Sequence, residues 1–284
     1  MALDSLSIII QNNGAEIRRR GNHALRVLAK RGRIAVNTSE TAVRESIPVA
    51  EYVKGSFVPL SHLPHGWELH SAIPLSPAEE RGMVREPAQA IPASIVERLG
   101  KVRVLVVPFV ACTDNGDAIS FSKPKGETHS AVWVESGERI DLVLPCRELD
   151  PHDTGFEFLA SVAELLRPKL TSAELERYTQ LLEAELRSGV PGEIDEEATA
   201  AKRTIEANRF RRRLIHEPFE RYRDVSFVST VAEYMHGLWH DVQIRVGPDH
   251  LPVPQLRSRM VLMSEMFPPN AGYQVFSEEL RKEE

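Results

Sequence analysis

The chain has 284 residues, 42% of them hydrophobic and 27% charged, which is a globular composition with enough length to bury a sizeable core. A formal net charge of −6 at pH 7 argues against a general polyanion-binding field, so nucleic acid is not an expected partner. No apolar run approaches the roughly 18 residues of a membrane span, and no basic leader precedes the short apolar run at the start, so a cytoplasmic protein is expected.

The first stretch reads as a short apolar segment followed by a basic helix over Ala15–Lys30, carrying Arg18, Arg19, Arg20, Arg26 and Lys30 among Ile17, Leu25 and Leu28. Without aromatic residues for base stacking, this is expected to be a solvated face. From Ile34 to Pro92 the sequence reads as irregular, because Pro59, Pro64, Pro74, Pro77 and Pro87 interrupt any central strand. His62, His65 and His70 fall here around Trp67, but no single period holds them on one side. Pro92 opens a short helix that Gly100 closes.

The β region follows. Lys101–Cys112 is dense in valine, and Asp114-Asn115-Gly116-Asp117 is a strong hairpin signal. Ala118–Ser122 returns, His129–Glu135 forms another strand, and Ser136-Gly137 turns it into Arg139–Pro145, where Ile140, Leu142 and Leu144 alternate with Asp141 and Val143. Consecutive hairpins predict an antiparallel sheet of about four strands. Cys112 and Cys146 end two of these strands; two cysteines do not make a disulfide framework, and reduced thiols are expected.

The rest reads as mostly helical, so the fold class is α+β. Three capping boxes are expected at helix starts: Thr154–Glu157, Thr171–Glu174 and Thr230–Glu233. Pro218 is expected to kink or break the basic stretch from Ala201 to Tyr222. Methionines in RSRMVLMSEM are expected to fill core gaps. Three regions follow: an N-terminal irregular part over 1–100, a sheet over 101–150 and a helical part over 151–284, the last two packing together.

The residues from Ser226 to Pro248 carry the candidate chemistry. At about 100° per residue, Phe227, Val228, Val231, Tyr234, Met235, Leu238, Val242 and Val246 form an apolar stripe, and Glu233, His236, His240 and Gln243 project opposite. Residues four apart stack on a helix, so both imidazoles can face one ion. His236 and His240 are therefore candidate ligands for zinc or another divalent transition metal, with Glu233 a candidate general base. His152, Asp153, Glu157, His216 and His250 are candidates for a third ligand. The expected function is a metal-dependent hydrolase acting on a small molecule or peptide. Against it, the pair lacks the glutamate after the first histidine that a zinc protease uses, and a polar face opposite a core stripe is often only solvated. The alternative is a non-catalytic intracellular protein that binds another protein.

Overall fold

A computed structural model describes residues 10–12, 15–21, 46–55, 57, 59–209, 216–240, 242 and 247–275. In chain order the elements are β1 (Ile10–Asn12), β2 (Ala15–Gly21), β3 (Ser46–Pro48), α1 (Val49–Tyr52), β4 (Ser61–His62), β5 (Glu68–Ser71), α2 (Pro77–Glu80), α3 (Glu86–Ala90), α4 (Ala93–Leu99), β6 (Lys101–Val107), β7 (Phe109–Thr113), β8 (Gly116–Ser120), β9 (His129–Ser136), β10 (Arg139–Pro145), α5 (Pro151–Leu166), α6 (Ser172–Arg187), α7 (Glu196–Arg209), α8 (His216–Trp239) and α9 (Val253–Met266). The α+β class expected from the sequence is the class observed. The chain forms two units: residues up to Met83 with Gly100–Thr154, and Val84–Leu99 with the residues from Gly155 onward. Residues 1–83 and 100–150 thus fall in the first unit, with the first four residues of α5, while 84–99 fall in the second.

The sheet architecture differs from the four antiparallel strands expected. The first unit holds a seven-stranded sheet in the order β1-β2-β9-β10-β6-β5-β4 and a three-stranded sheet in the order β3-β8-β7. β10 and β5 both pair with β6 in parallel, so the larger sheet is mixed. Pro108 explains the division of the valine-rich run. It has no N–H to donate to a ladder, and it falls between β6 of one sheet and β7 of the other. The Asn115-Gly116 hairpin joins β7 to β8, and the positive φ of 107° falls on Gly116, the first residue of the returning strand.

The basic helix expected over Ala15–Lys30 is, over its described residues, strand β2, which pairs antiparallel with β9; its remainder lies outside the described residues. The proline-rich stretch is also more regular than expected. It supplies β4 and β5, and α2 begins with a Ser76–Glu79 capping box.

Val49, Val53, Leu105, Val107, Val110, Ile119, Val132, Val134 and Val143 make one apolar core in the first unit. Asp141 is fully buried, because β10 is a central strand covered on both faces. Arg103 Nε donates to Asp141 Oδ1 at 2.7 Å and Arg103 Nη2 to the Val53 carbonyl at 2.6 Å, while its guanidinium lies 4.8 Å from the Phe57 ring centre.

In the second unit, the Thr171–Glu174 box caps α6 as expected. The other two expected boxes do not form. Asp150 starts α5 instead, its carboxylate accepting from the Asp153 N–H at 2.8 Å, and Thr154 is buried inside the helix. Thr230 and Glu233 lie within α8, which starts far upstream at His216 and ends at Trp239. The stretch from Ala201 to Tyr222 is divided between α7 and α8; Pro218 is the third residue of α8, near a helix start, where proline is tolerated, and residues 210–215 lie outside the described residues. Val231, Tyr234, Met235 and Leu238 are buried as expected, but so are Ser226, Ser229, Thr230, Glu233 and His236. This half of α8 is covered nearly all round. A Cβ on Gly237 would lie 2.6 Å from Val242 Cγ2, so only glycine lets the following chain close against the helix. Among the described residues, no helix is long and apolar enough to cross a membrane.

Candidate metal centre

The helix that carries His236 and His240 brings them together only in part. Their ring centroids are 5.8 Å apart, and the Glu233 carboxylate comes within 4.0 Å of His236 Nδ1. His236 is buried, with its ring meeting Phe156 edge to face at 5.4 Å and Trp239 at 6.0 Å. His240 lies one residue beyond the helix and is exposed, its ring tilted by 40° against Trp239 with centroids 4.2 Å apart. Of the proposed third ligands, His152 and Asp153 gather with Asp150 at the surface, in the first turn of α5. Glu157 is half-buried in α5, His250 forms a bridge with Glu193, and the His216 side chain lies outside the described residues. Among the described residues, no group of three potential ligand atoms within 4.8 Å of one another contains His236 or His240, nor His62, His65 or His70.

A more convergent group lies in the first unit. The β7–β8 register sets Cys112 directly opposite Asp117. The chain entering β9 runs beside β7, with Ala111 bridged to Thr128 and the Cys112 N–H donating to the Glu127 carbonyl at 2.9 Å. The next residue, His129, is thereby delivered to the same point. Its Nε2 lies 3.0 Å from Cys112 Sγ and 3.0 Å from Asp117 Oδ1, with all three ligand atoms within 4.8 Å of one another. Asp117 is buried; Cys112 and His129 are half-buried.

The chemistry of Nε2 decides what this arrangement can do. A single N–H cannot serve a cysteine sulfur and a carboxylate fully at once. Burial by itself would lower the His129 pKa, but hydrogen bonds to Asp117 and Cys112 outweigh it and hold the imidazole up at about 9. A divalent cation replacing that proton would satisfy all three donors. Tetrahedral zinc bonds of about 2.0–2.3 Å set neighbouring ligand atoms about 3.3–3.5 Å apart, a small expansion of the separations found here. A catalytic Cys–His–Asp relay fits less well. It needs the thiol and the carboxylate on opposite ring nitrogens, whereas both partners here crowd Nε2 and buried Nδ1 has no hydrogen-bond partner among the described residues.

Buried charge in the second unit is arranged differently. The fully buried Arg259 guanidinium donates through Nε and Nη2 to Glu185 at 3.1 and 2.6 Å, and through Nη1 and Nη2 to Glu193 at 2.7 and 2.9 Å. Nη1 also reaches Ser226 Oγ at 2.9 Å, and Tyr222 donates its hydroxyl to Glu193. Lys202 donates to the Gly192 carbonyl at 2.7 Å and lies 3.4 Å from Glu193. Two cations meet two carboxylates, and every guanidinium nitrogen has a partner. The network binds α6, α7, α8 and α9 to one another.

No family model matches the chain, and no curated protein or solved structure is recognisably similar to it. Reading the site therefore rests on its own geometry. Sequence reasoning passed over Cys112, Asp117 and His129 as strand ends and turn chemistry. Part of the signal was available: a two-residue turn at Asp114-Asn115 makes positions 112 and 117 cross-strand partners.

Proposed function

We propose that the protein is a metal-dependent hydrolase whose ion is held by Cys112, Asp117 and His129. The observation that carries this reading is the convergence of a thiol, a carboxylate and an imidazole on one point. A donor set of sulfur, nitrogen and oxygen favours zinc or a similar divalent transition ion over magnesium or calcium. Three protein ligands leave the fourth tetrahedral position for water, whose pKa an ion of this kind lowers to near 7. The residues of this chain would supply the cage. The β7–β8 register and the bond from Cys112 N–H to the Glu127 carbonyl fix it, and half-burial of Cys112 and His129 leaves it reachable from solvent.

A second location for the same chemistry is the His236–His240 pair with Glu233 as base, supported by the 5.8 Å ring separation and the nearby carboxylate. One experiment separates the two. Protein purified without an affinity tag is incubated with zinc, manganese and iron, desalted and analysed for metal, then assayed on chromogenic esters with and without a chelator. The strand reading expects a Cys112→Ser, His129→Ala double variant to lose the ion while His236→Ala, His240→Ala retains it, and the helix reading expects the reverse. Wild-type protein that retains no ion overturns both and leaves the protein-interaction reading.

A further inference from the structure

We infer that the ion at Cys112, Asp117 and His129 is released by peroxide, with Cys112 as the sensing thiol. This rests on the metal reading above and adds its regulation. Three observations carry it. Cys112 is the sole sulfur in the set, so its loss leaves only His129 and Asp117, one nitrogen and one carboxylate from the protein. Its Sγ belongs to a half-buried residue at the end of a hairpin, within reach of a small oxidant. Cys146, the other cysteine, is buried just past β10, and burial pushes its thiol up to about 11, so it offers little thiolate to compete.

The step is a two-electron oxidation. The Cys112 thiolate attacks one oxygen of hydrogen peroxide or an alkyl hydroperoxide; the S–O bond forms, the O–O bond breaks, and hydroxide or alkoxide leaves. Sulfur becomes sulfenic acid and the peroxide is reduced. A sulfenic acid is a far poorer donor to a divalent ion than a thiolate. His129 Nε2, 3.0 Å from Cys112 Sγ, is positioned to hydrogen-bond the new S–OH. Losing even a residue that supports a ligand costs about 10–100-fold in metal affinity, so losing the thiolate itself is expected to cost at least about 100-fold.

The test uses the full chain loaded with zinc and measured for metal content. Hydrogen peroxide is added in graded amounts. Free zinc is read with a chromogenic chelator, and sulfenic acid with dimedone and mass spectrometry. Zinc release that rises in step with dimedone labelling at Cys112, and rebinding after dithiothreitol, is expected. Cys146→Ala should respond as wild type does. Labelled Cys112 with zinc retained, or zinc released without labelling at Cys112, overturns the inference while leaving the metal reading intact. A chain that takes up no zinc at the outset overturns both.

Discussion

The strand cluster of the first unit and the Arg259 network of the second are both built from charged groups withdrawn from water, yet they are opposites in arrangement. Around Arg259, each nitrogen of the guanidinium points at a different acceptor, so donors and acceptors are distributed and matched. Around His129, a cysteine sulfur and a carboxylate crowd one nitrogen and the other nitrogen is left without a partner among the described residues. Matched buried charge fixes the register of helices; several donors aimed at one point are the geometry of a ligand site.

The comparison is sharpest where each cluster is broken. Arg259→Leu should cost about 3–5 kcal/mol in chemical denaturation, because Glu185 stays buried without its guanidinium and Glu193 keeps only Lys202. A cost under about 1 kcal/mol would mean the network is not what fastens the helices. Leu238→Ala, which empties an apolar position on buried α8, should cost about 2–5 kcal/mol. An unchanged unfolding midpoint would show that this face is not core. Cys112→Ser should behave in the opposite way from Arg259→Leu, with stability of the metal-free protein changing by less than about 1 kcal/mol while zinc uptake is lost. Calorimetry on the metal-free protein paired with metal analysis reads both, and a large fall in stability would make the strand cluster structural.

The smallest effect belongs to an ion pair at the edge of water. Arg98 grips Glu174 through two hydrogen bonds of 2.7 and 2.5 Å. That grip, aided by the Thr171 backbone and hydroxyl, lowers the Glu174 pKa from an ordinary 4.5 to about 2. Because the folded value lies below the unfolded one, the contribution is fully present above about pH 4.5 and is lost as pH falls toward 2. Both side chains are partly solvated, so it should amount to about 1 kcal/mol or less. Glu174→Gln should flatten stability between pH 4.5 and 2 relative to wild type, measured by denaturant titration across that window.

What could be read in the sequence follows the range of the interactions. The hairpins over 101–145 and the Thr171–Glu174 box are local, and turn and capping residues announce them. The partner of β6 is not local: a run of valines does not say that β10 lies alongside it in parallel. Charge misled at Ala15–Gly21, where arginines that suit a solvated helix belong to a strand paired with β9. On α8, a single stripe was legible, but packing from several sides buried the polar residues too, and periodicity cannot reveal how many neighbours a helix has. The strand cluster was hidden for the same reason. Cys112 and Asp117 oppose each other across a short turn, whereas His129 arrives through a bridge from a later strand, and no spacing rule encodes that arrival.

The excursion of Val84–Leu99 into the second unit has a consequence for biosynthesis. Ile95, Val96 and Leu99 emerge from the ribosome long before the surfaces that cover them, and Arg98 precedes its glutamate by 76 residues. Ala93 waits longer still for Asn270, whose carboxamide accepts its N–H across a separation of 177 residues. Neither unit is a contiguous stretch of chain: the first is complete once Thr154 is made, while of the second only Val84–Leu99 then exists. The nascent protein carries an uncovered apolar segment until translation is nearly finished, which is the kind of sequence that chaperones hold.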